Sequence, residues 1–125
     1  MSVARRVGLA GLGLMVLASP VGGAQAADEG EKLFVNHCGT CHSLDPAAGP
    51  RQGPNLHGVI GRKAGSLDGF SYSKGLKAAG WTWTPQQMDK WISDPKALIP
   101  DTFMNYHQAN PATRLKIIDY VKTHS

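Results

Sequence analysis

Cys38-Gly39-Thr40-Cys41-His42 constrains this chain more tightly than any other stretch of it. Two cysteines separated by two residues lie about one helical turn apart, so both thiols can reach one edge of a flat ligand. The histidine that follows can place an imidazole beneath that ligand's plane, where it can bind a metal. This spacing is the attachment signature of a covalent haem: two thioether links hold the macrocycle, and His42 gives the iron one axial nitrogen. Rival chemistries fit less well. A thioredoxin-like redox pair requires a βαβ frame, which the sequence does not suggest. A structural zinc site requires about four ligands, usually in two pairs, and the chain has no second cysteine pair. A structural disulfide suits an exported protein but leaves the adjacent histidine without a role.

The chain has 125 residues, the length of one small domain, and its beginning reads as separate from that domain. Arg5 and Arg6 precede a glycine-interrupted apolar run over residues 7–18, and Ala24-Gln25-Ala26 supplies a small-x-small pattern. Residues 1–26 therefore read as a secretory signal peptide cleaved before Ala27, and residues 27–125 as a single domain. The apolar run is shorter than the roughly 18 to 20 residues of a membrane span, so stable membrane insertion is not expected. The arginine pair alone does not establish a twin-arginine route, and haem attached after export implies an unfolded cargo. The formal charge is +4 for the whole chain. The leader holds two arginines and no acid, so the mature chain keeps +2. With no block of like charge and few aromatics interleaved with base, nucleic-acid binding is not expected.

A short chain with 15 glycines and 8 prolines makes a thin core by itself. A buried haem would add apolar surface, so the haem-free polypeptide is expected to be largely unfolded. The patterning predicts helices and long loops with no β-rich run, hence an all-α class. A first helix is expected from Asp28, as its cap, to Cys38, with Leu33, Phe34 and His37 on one side. Residues 43–72, punctuated by glycine and proline, read as a long loop that a flat cofactor would organise, with Leu56, Val59 and Ile60 lining it. Residues 73–79 suggest a short helix ending at Gly80. Thr84-Pro85-Gln86-Gln87 starts a stronger one that runs to about Ser93, with Met88, Trp91 and Ile92 inward, stopped by Asp94-Pro95. Residues 94–109 read as loop. Asn110-Pro111 opens a last helix with Leu115, Ile117, Ile118 and Val121 at apolar spacing.

An iron held by His42 has one further axial position. His37, His57, His107, His124, Met88 and Met104 are the candidates in the mature chain. Met88 suits core packing better. Met104 follows Ile99-Pro100-Asp101-Thr102-Phe103, a proline-started loop able to hold a thioether, while the loop histidines His57 and His107 stay open by pattern alone.

From about residue 30 to 122 the chain resembles the class I cytochromes c, the mitochondrial protein and its small bacterial periplasmic relatives. Besides residues 38–42, the resemblance rests on Gly53-Pro54-Asn55-Leu56-His57-Gly58-Val59-Ile60-Gly61-Arg62-Lys63 and on Gly69-Phe70-Ser71-Tyr72. Trp83, Asp94-Pro95-Lys96 and the Ile99 to Met104 loop follow in family order. The resemblance implies the cytochrome c fold, three main helices plus short helices and long loops around one covalently bound haem c. It implies Cys38 and Cys41 as the tethers, His42 and Met104 as the iron ligands, and the Pro54 carbonyl as acceptor for the His42 ring. It also implies Tyr72 and Trp83 bonded to a haem propionate, Arg62 offsetting its charge, and Gly30 and Phe34 packed on Ile117 and Tyr120 where the terminal helices cross. Trp91 stands where the family usually has a tyrosine bonded to the methionine sulfur, Leu76 replaces a usual asparagine, and Tyr106 a phenylalanine.

Two protein ligands leave the iron no vacant site, which favours a periplasmic electron carrier over an enzyme. The alternatives are a peroxidase or gas-binding haem protein with a labile Met104, and a subunit docked to a larger oxidoreductase. The partners implied are redox proteins: a membrane oxidase, a cytochrome bc complex or a periplasmic dehydrogenase, met by a monomer. Lys32, Arg51 and Lys96 match basic docking positions, but His37, Phe103, Asn110 and Pro111 stand where lysines are common, so charge steering is expected to be weak.

Overall fold

The computed structural model describes residues 22–125 throughout, together with Ala4, Gly8, Gly11, Gly13, Met15, Leu17, Ala18 and Ser19. The leader expectation falls mostly outside this set. Among the described residues the architecture is all-helical, with one isolated antiparallel bridge between Lys63 and Thr82. No described helix is long and apolar enough to cross a membrane.

Helix α1 spans Gly22–His37. It starts six residues before the expected Asp28 cap, because Ala24, Ala26 and Ala27 continue the backbone ladder upstream of it. Asp28 is instead an interior residue, paired one turn on with Lys32 at 2.9 Å. The C-terminal half of α1 packs on α5, Pro111–Lys122, whose N-cap Asn110 accepts from the amides of Ala112 and Thr113 at 2.9 and 3.3 Å. Gly30 makes the crossing possible. A Cβ there would lie 2.9 Å from Tyr120 Cβ and 3.0 Å from the Lys116 carbonyl oxygen. Phe34 then meets the Tyr120 ring at 5.8 Å, and Lys116 reaches Glu29 at 2.6 Å. On α5 the residues Ile117, Ile118 and Val121 are buried. Leu115, expected among them, is exposed, since it lies on the face that neither α1 nor α3 covers.

Helix α2 is a single turn, Lys74–Lys77, capped by Ser73. Helix α3, Pro85–Ser93, begins as the sequence suggests: Thr84 Oγ1 accepts from the Gln87 amide at 3.0 Å, and Pro85 occupies the first turn, where its missing N–H costs nothing. Met88, Trp91 and Ile92 recur at helical spacing and are buried against α5 and the cavity described below. The stretch read as loop after it contains a further turn, α4, Pro95–Leu98. Asp94-Pro95 does end α3, but Asp94 also caps α4 by accepting from the Ala97 amide at 3.2 Å. The same dipeptide stops one helix and starts the next.

The first part of the long segment over residues 43–72 is ordered largely by bonds it makes to itself, and its middle by backbone bonds to residues 81–83 and to His124. Asn55 Nδ2 donates to the carbonyls of Asp45 and Ala48 at 2.7 and 2.9 Å, and its Oδ1 accepts from the His57 amide at 2.8 Å. The Leu56 amide donates to the Ser43 carbonyl at 2.8 Å. One asparagine thus fastens both ends of the loop's first half.

Candidate functional site

Residues 38–42 continue α1 into a closed turn. The amides of Cys41 and His42 both return to the Cys38 carbonyl, at 3.1 and 2.9 Å, so both thiols and the imidazole project from one short piece of backbone. Arg51 fastens this turn from outside, its Nη1 donating to the carbonyls of Gly39 and His42. All three cations matched to docking positions are exposed; Arg51 also bonds this turn and Lys32 pairs with Asp28 on its own helix.

The turn opens into a cavity of about 260 Å³ walled mostly by apolar side chains. His42 Nδ1 donates to the Pro54 carbonyl at 2.8 Å. A carbonyl can only accept, so the proton sits on Nδ1 and the Nε2 lone pair is left free. Burial pushes the His42 pKa below its ordinary value of 6.5, with the Pro54 bond opposing. The fold thus favours the neutral, metal-binding form. That contribution is complete above 6.5, the unfolded value, and is lost as pH falls through the lower folded value. Gly53 lets the ring lie where it does: a Cβ there would come within 2.7 Å of His42 Nδ1 and 2.8 Å of Nε2. Cys38 and Cys41 are free thiols. Burial, with Cys41 close by, pushes Cys38 up to about 12, so it is protonated at neutral pH. The Cys41 thiol donates to Gln52 Oε1 at 3.2 Å.

Of the six candidates for a second ligand, His37, Met88 and Met104 line the cavity. His37 is exposed and stacks on Tyr106 at 5.9 Å. His57 lines a separate groove, His107 is exposed and lines neither, and His124 Nδ1 is engaged by the Tyr120 carbonyl at 3.1 Å. Met104 is held from several directions. Its Sδ accepts from Trp91 Nε1 at 3.2 Å, and its amide donates to the buried Thr102 hydroxyl at 3.2 Å. Just upstream, Asp101 Oδ2 accepts from the Gly75 amide at 3.0 Å, tying the loop to α2. Downstream, the Gln108 amide donates to the Ile92 carbonyl at 2.7 Å. Arg114 then reaches Asp89 at 2.7 Å and the carbonyls of Gln108 and Ala109 at 3.0 Å each.

Pro54, Arg62, Tyr72 and Trp83 all line the same cavity. Arg62 Nη2 donates to the Asn55 carbonyl at 2.9 Å and Nη1 to that of His57 at 3.3 Å. Burial lowers its pKa, which the neighbouring Tyr72 phenol partly offsets, and burial raises that of Tyr72 in turn. A guanidinium and a phenol O–H are therefore available where an anionic substituent could enter. Leu56 and Val59 line the cavity as expected, but Ile60 faces away and packs on the back of the core. Leu76 and Tyr106 also line it, Tyr106 Oη accepting from Gln108 Nε2 at 3.0 Å.

The sequence reading missed Asp101, Thr102, Asp89 and Arg114 as residues that hold the site. Thr102, two residues before Met104, carried a local signal in its side-chain-to-amide turn. The other three act across 25 or 26 residues, and nothing local marks them.

The cavity joins two thiols at one edge, a neutral imidazole with a free nitrogen, a thioether and a half-buried cation, within an apolar lining. Such a set can clasp a flat, mostly apolar metallocycle with an acidic rim. The family model described as Cytochrome c matches residues 27–125. Among curated proteins the chain is similar to a cytochrome c2 of Blastochloris viridis, 41% identical over 113 residues that cover 88% of each chain. It is likewise similar to a cytochrome c of Ginkgo biloba, 39% identical over 94 residues, covering 74% of this chain and 83% of that protein. A cytochrome c2 of Rhodomicrobium vannielii is 40% identical over 96 residues, covering 76% of each.

Proposed function

The chain belongs to the cytochrome c family, and from that premise we propose that it is an exported, diffusible one-electron carrier rather than an enzyme. Its one haem c is covalently attached, as in the family, and the residues present fit such a group. Cys38 and Cys41 would tether it, His42 Nε2 would bind the iron on one side, and the Met104 thioether on the other. When bound, the haem iron supplies the one-electron ferrous–ferric couple.

The chain's own residues do the rest. Pro54 holds the imidazole in one orientation and raises its basicity through Nδ1. Arg62, Tyr72 and Trp83 would meet the acidic rim of the macrocycle with a charge and with N–H and O–H donors. Val59, Leu76, Trp83 and Ile92, all buried in the cavity wall, would exclude water from the iron. With His42 and Met104 both held by their surroundings, the protein would need little rearrangement for each transfer. A soft, neutral sulfur ligand favours ferrous iron and raises the potential.

The observation that carries this reading is a single cavity lined by His42 with Nε2 free, by Met104 with its sulfur anchored, and by both cysteines. Met104→Ala in the holoprotein tests it. The weak red absorption band of methionine-bound ferric haem is expected to vanish, and the midpoint potential to fall. Should both stay put, the sixth ligand is another residue and the carrier reading loses its basis.

The basic start, the apolar run and Ala24-Gln25-Ala26 support export to the periplasm with cleavage before Ala27. Partners there would be a membrane oxidase, a cytochrome bc complex or a periplasmic dehydrogenase, docking on a monomer. Mass spectrometry of the secreted protein is expected to find Ala27 as the first residue; a retained leader would contradict this.

A further inference from the structure

Gln108 has each of its polar groups engaged. Its amide donates to the Ile92 carbonyl of α3 at 2.7 Å, and its carbonyl accepts from Arg114 Nη1 of α5 at 3.0 Å. Its side-chain Oε1 accepts from the Asn110 amide at 3.0 Å, and its Nε2 donates to Tyr106 Oη at 3.0 Å. The Asn110 bond decides which way the side-chain amide points. A backbone N–H can only donate, so the oxygen must face Asn110 and the nitrogen is turned to the phenol. Arg114 is itself held by Asp89 of α3 at 2.7 Å. The main chain at Gln108 is therefore bracketed between two helices, and its side chain is a rigid arm.

That arm ends on Tyr106. The Tyr106 ring lines the cavity two residues after Met104 and meets the His37 ring at 5.9 Å, the planes 46° apart. His37 is the last residue of α1 and lines the same cavity. The phenol ring thus reaches from the sulfur side of the cavity to the side that carries the attachment turn. His37 is exposed and Tyr106 only half-buried, so close packing does not fix the ring from all sides. Burial raises the Tyr106 pKa above its ordinary value, with the Gln108 bond opposing, so the phenol stays neutral at physiological pH.

Resting on the Met104 ligation proposed above, we infer that Gln108 is a positioning residue that helps decide which molecules reach the iron. It carries the packing of α3 on α5 to the Tyr106 hydroxyl, keeps that ring across the rim, and so closes the sulfur side to small nitrogen ligands such as imidazole. The step it controls is a local opening. A foreign ligand can take the place of the thioether only when the Met104 loop swings out. Tyr106, two residues on, must then move as well, and the Gln108 bond to its hydroxyl breaks. The rest of Gln108 stays behind, because its other three bonds run to α3, to α5 and to the residue that caps α5. One hydrogen bond between a fixed arm and a moving ring is thus added to the cost of each opening.

The rate at which imidazole binds the ferric holoprotein, followed by loss of the weak red band, reads that opening. Tyr106→Phe deletes only the hydroxyl and is expected to speed binding about fivefold, the effect of one ordinary hydrogen bond lost from the closed form. Gln108→Leu is expected to speed it by at least as much, since it loses the Asn110 bond too. Adding Tyr106→Phe to Gln108→Leu is expected to change nothing further, because both act on one bond. A full second increment in the double variant would mean that the hydroxyl works without Gln108, and the inference alone would be overturned. An unchanged rate in Tyr106→Phe overturns it equally, and decides by itself if Gln108→Leu does not fold. If the wild-type ferric protein lacks the red band, Met104 is not a ligand and the inference falls with that reading.

Discussion

His42 sits on a turn that residues 38–42 make with their own backbone, whereas Met104 sits in a loop that distant parts of the chain hold in place. On the first side, the histidine, both thiols and the end of α1 are contiguous, and the partners that fix the ring, Gly53 and Pro54, lie only 11 and 12 residues on. On the second, the sulfur is fixed by Trp91 on α3, the loop by Gly75 in α2, and the descending strand of chain by Arg114 on α5. A side chain carried by a local motif is displaced only when the motif or its immediate cradle is changed. A side chain carried by tertiary contacts can be loosened from many points, each at small cost. The Met104 side is accordingly the weaker hinge of the site.

Breaking the tether tests the comparison most severely. In a Cys38→Ala/Cys41→Ala variant the covalent attachment is gone, and a thin core without its cofactor is expected to leave the polypeptide largely unfolded. Native-like helicity by far-ultraviolet circular dichroism would show that the protein part stands alone.

A smaller effect is expected from Gly53→Ala. The new methyl would overlap the His42 ring, and crowding a packed site of this kind costs about 1–3 kcal/mol. Denaturant titration followed by haem absorbance is the measurement. An unchanged midpoint would mean that the imidazole side tolerates displacement as easily as the sulfur side.

Smallest is Asp101→Ala, which frees the Met104 loop from the Gly75 amide. An exposed hydrogen bond to a carboxylate is worth about 1 kcal/mol. The red band is expected to be lost at lower denaturant than in the wild type while the far-ultraviolet signal is little moved. Coincident loss of both signals would erase the distinction between the two sides.

Much of the fold is legible where a signal and its consequence are neighbours. Thr84-Pro85 and Asn110-Pro111 cap and open helices because each side chain bonds an amide two or three residues away. Asp94-Pro95 is harder, because a helix stop and a helix start share it, so the pattern marks the end of α3 and hides α4. The start of α1 was placed at the first good cap, yet a cap preference yields when alanines upstream continue the ladder. Leu115 shows the limit of periodicity: spacing marks an apolar stripe but not how wide a face the neighbouring helices will cover.

By itself the sequence determined the chemistry of attachment, the helical class and the family, because spacing along the chain places two thiols and an imidazole on one turn whatever the rest does. Only the tertiary structure decided how the sulfur is held and how the attachment turn is fastened from outside. Trp91 meets Met104 across 13 residues, Gly75 meets Asp101 across 26, and Arg51 folds back onto the turn at Gly39 and His42. Each of those contacts depends on how the helices pack, and no local pattern of residues encodes a distance between segments.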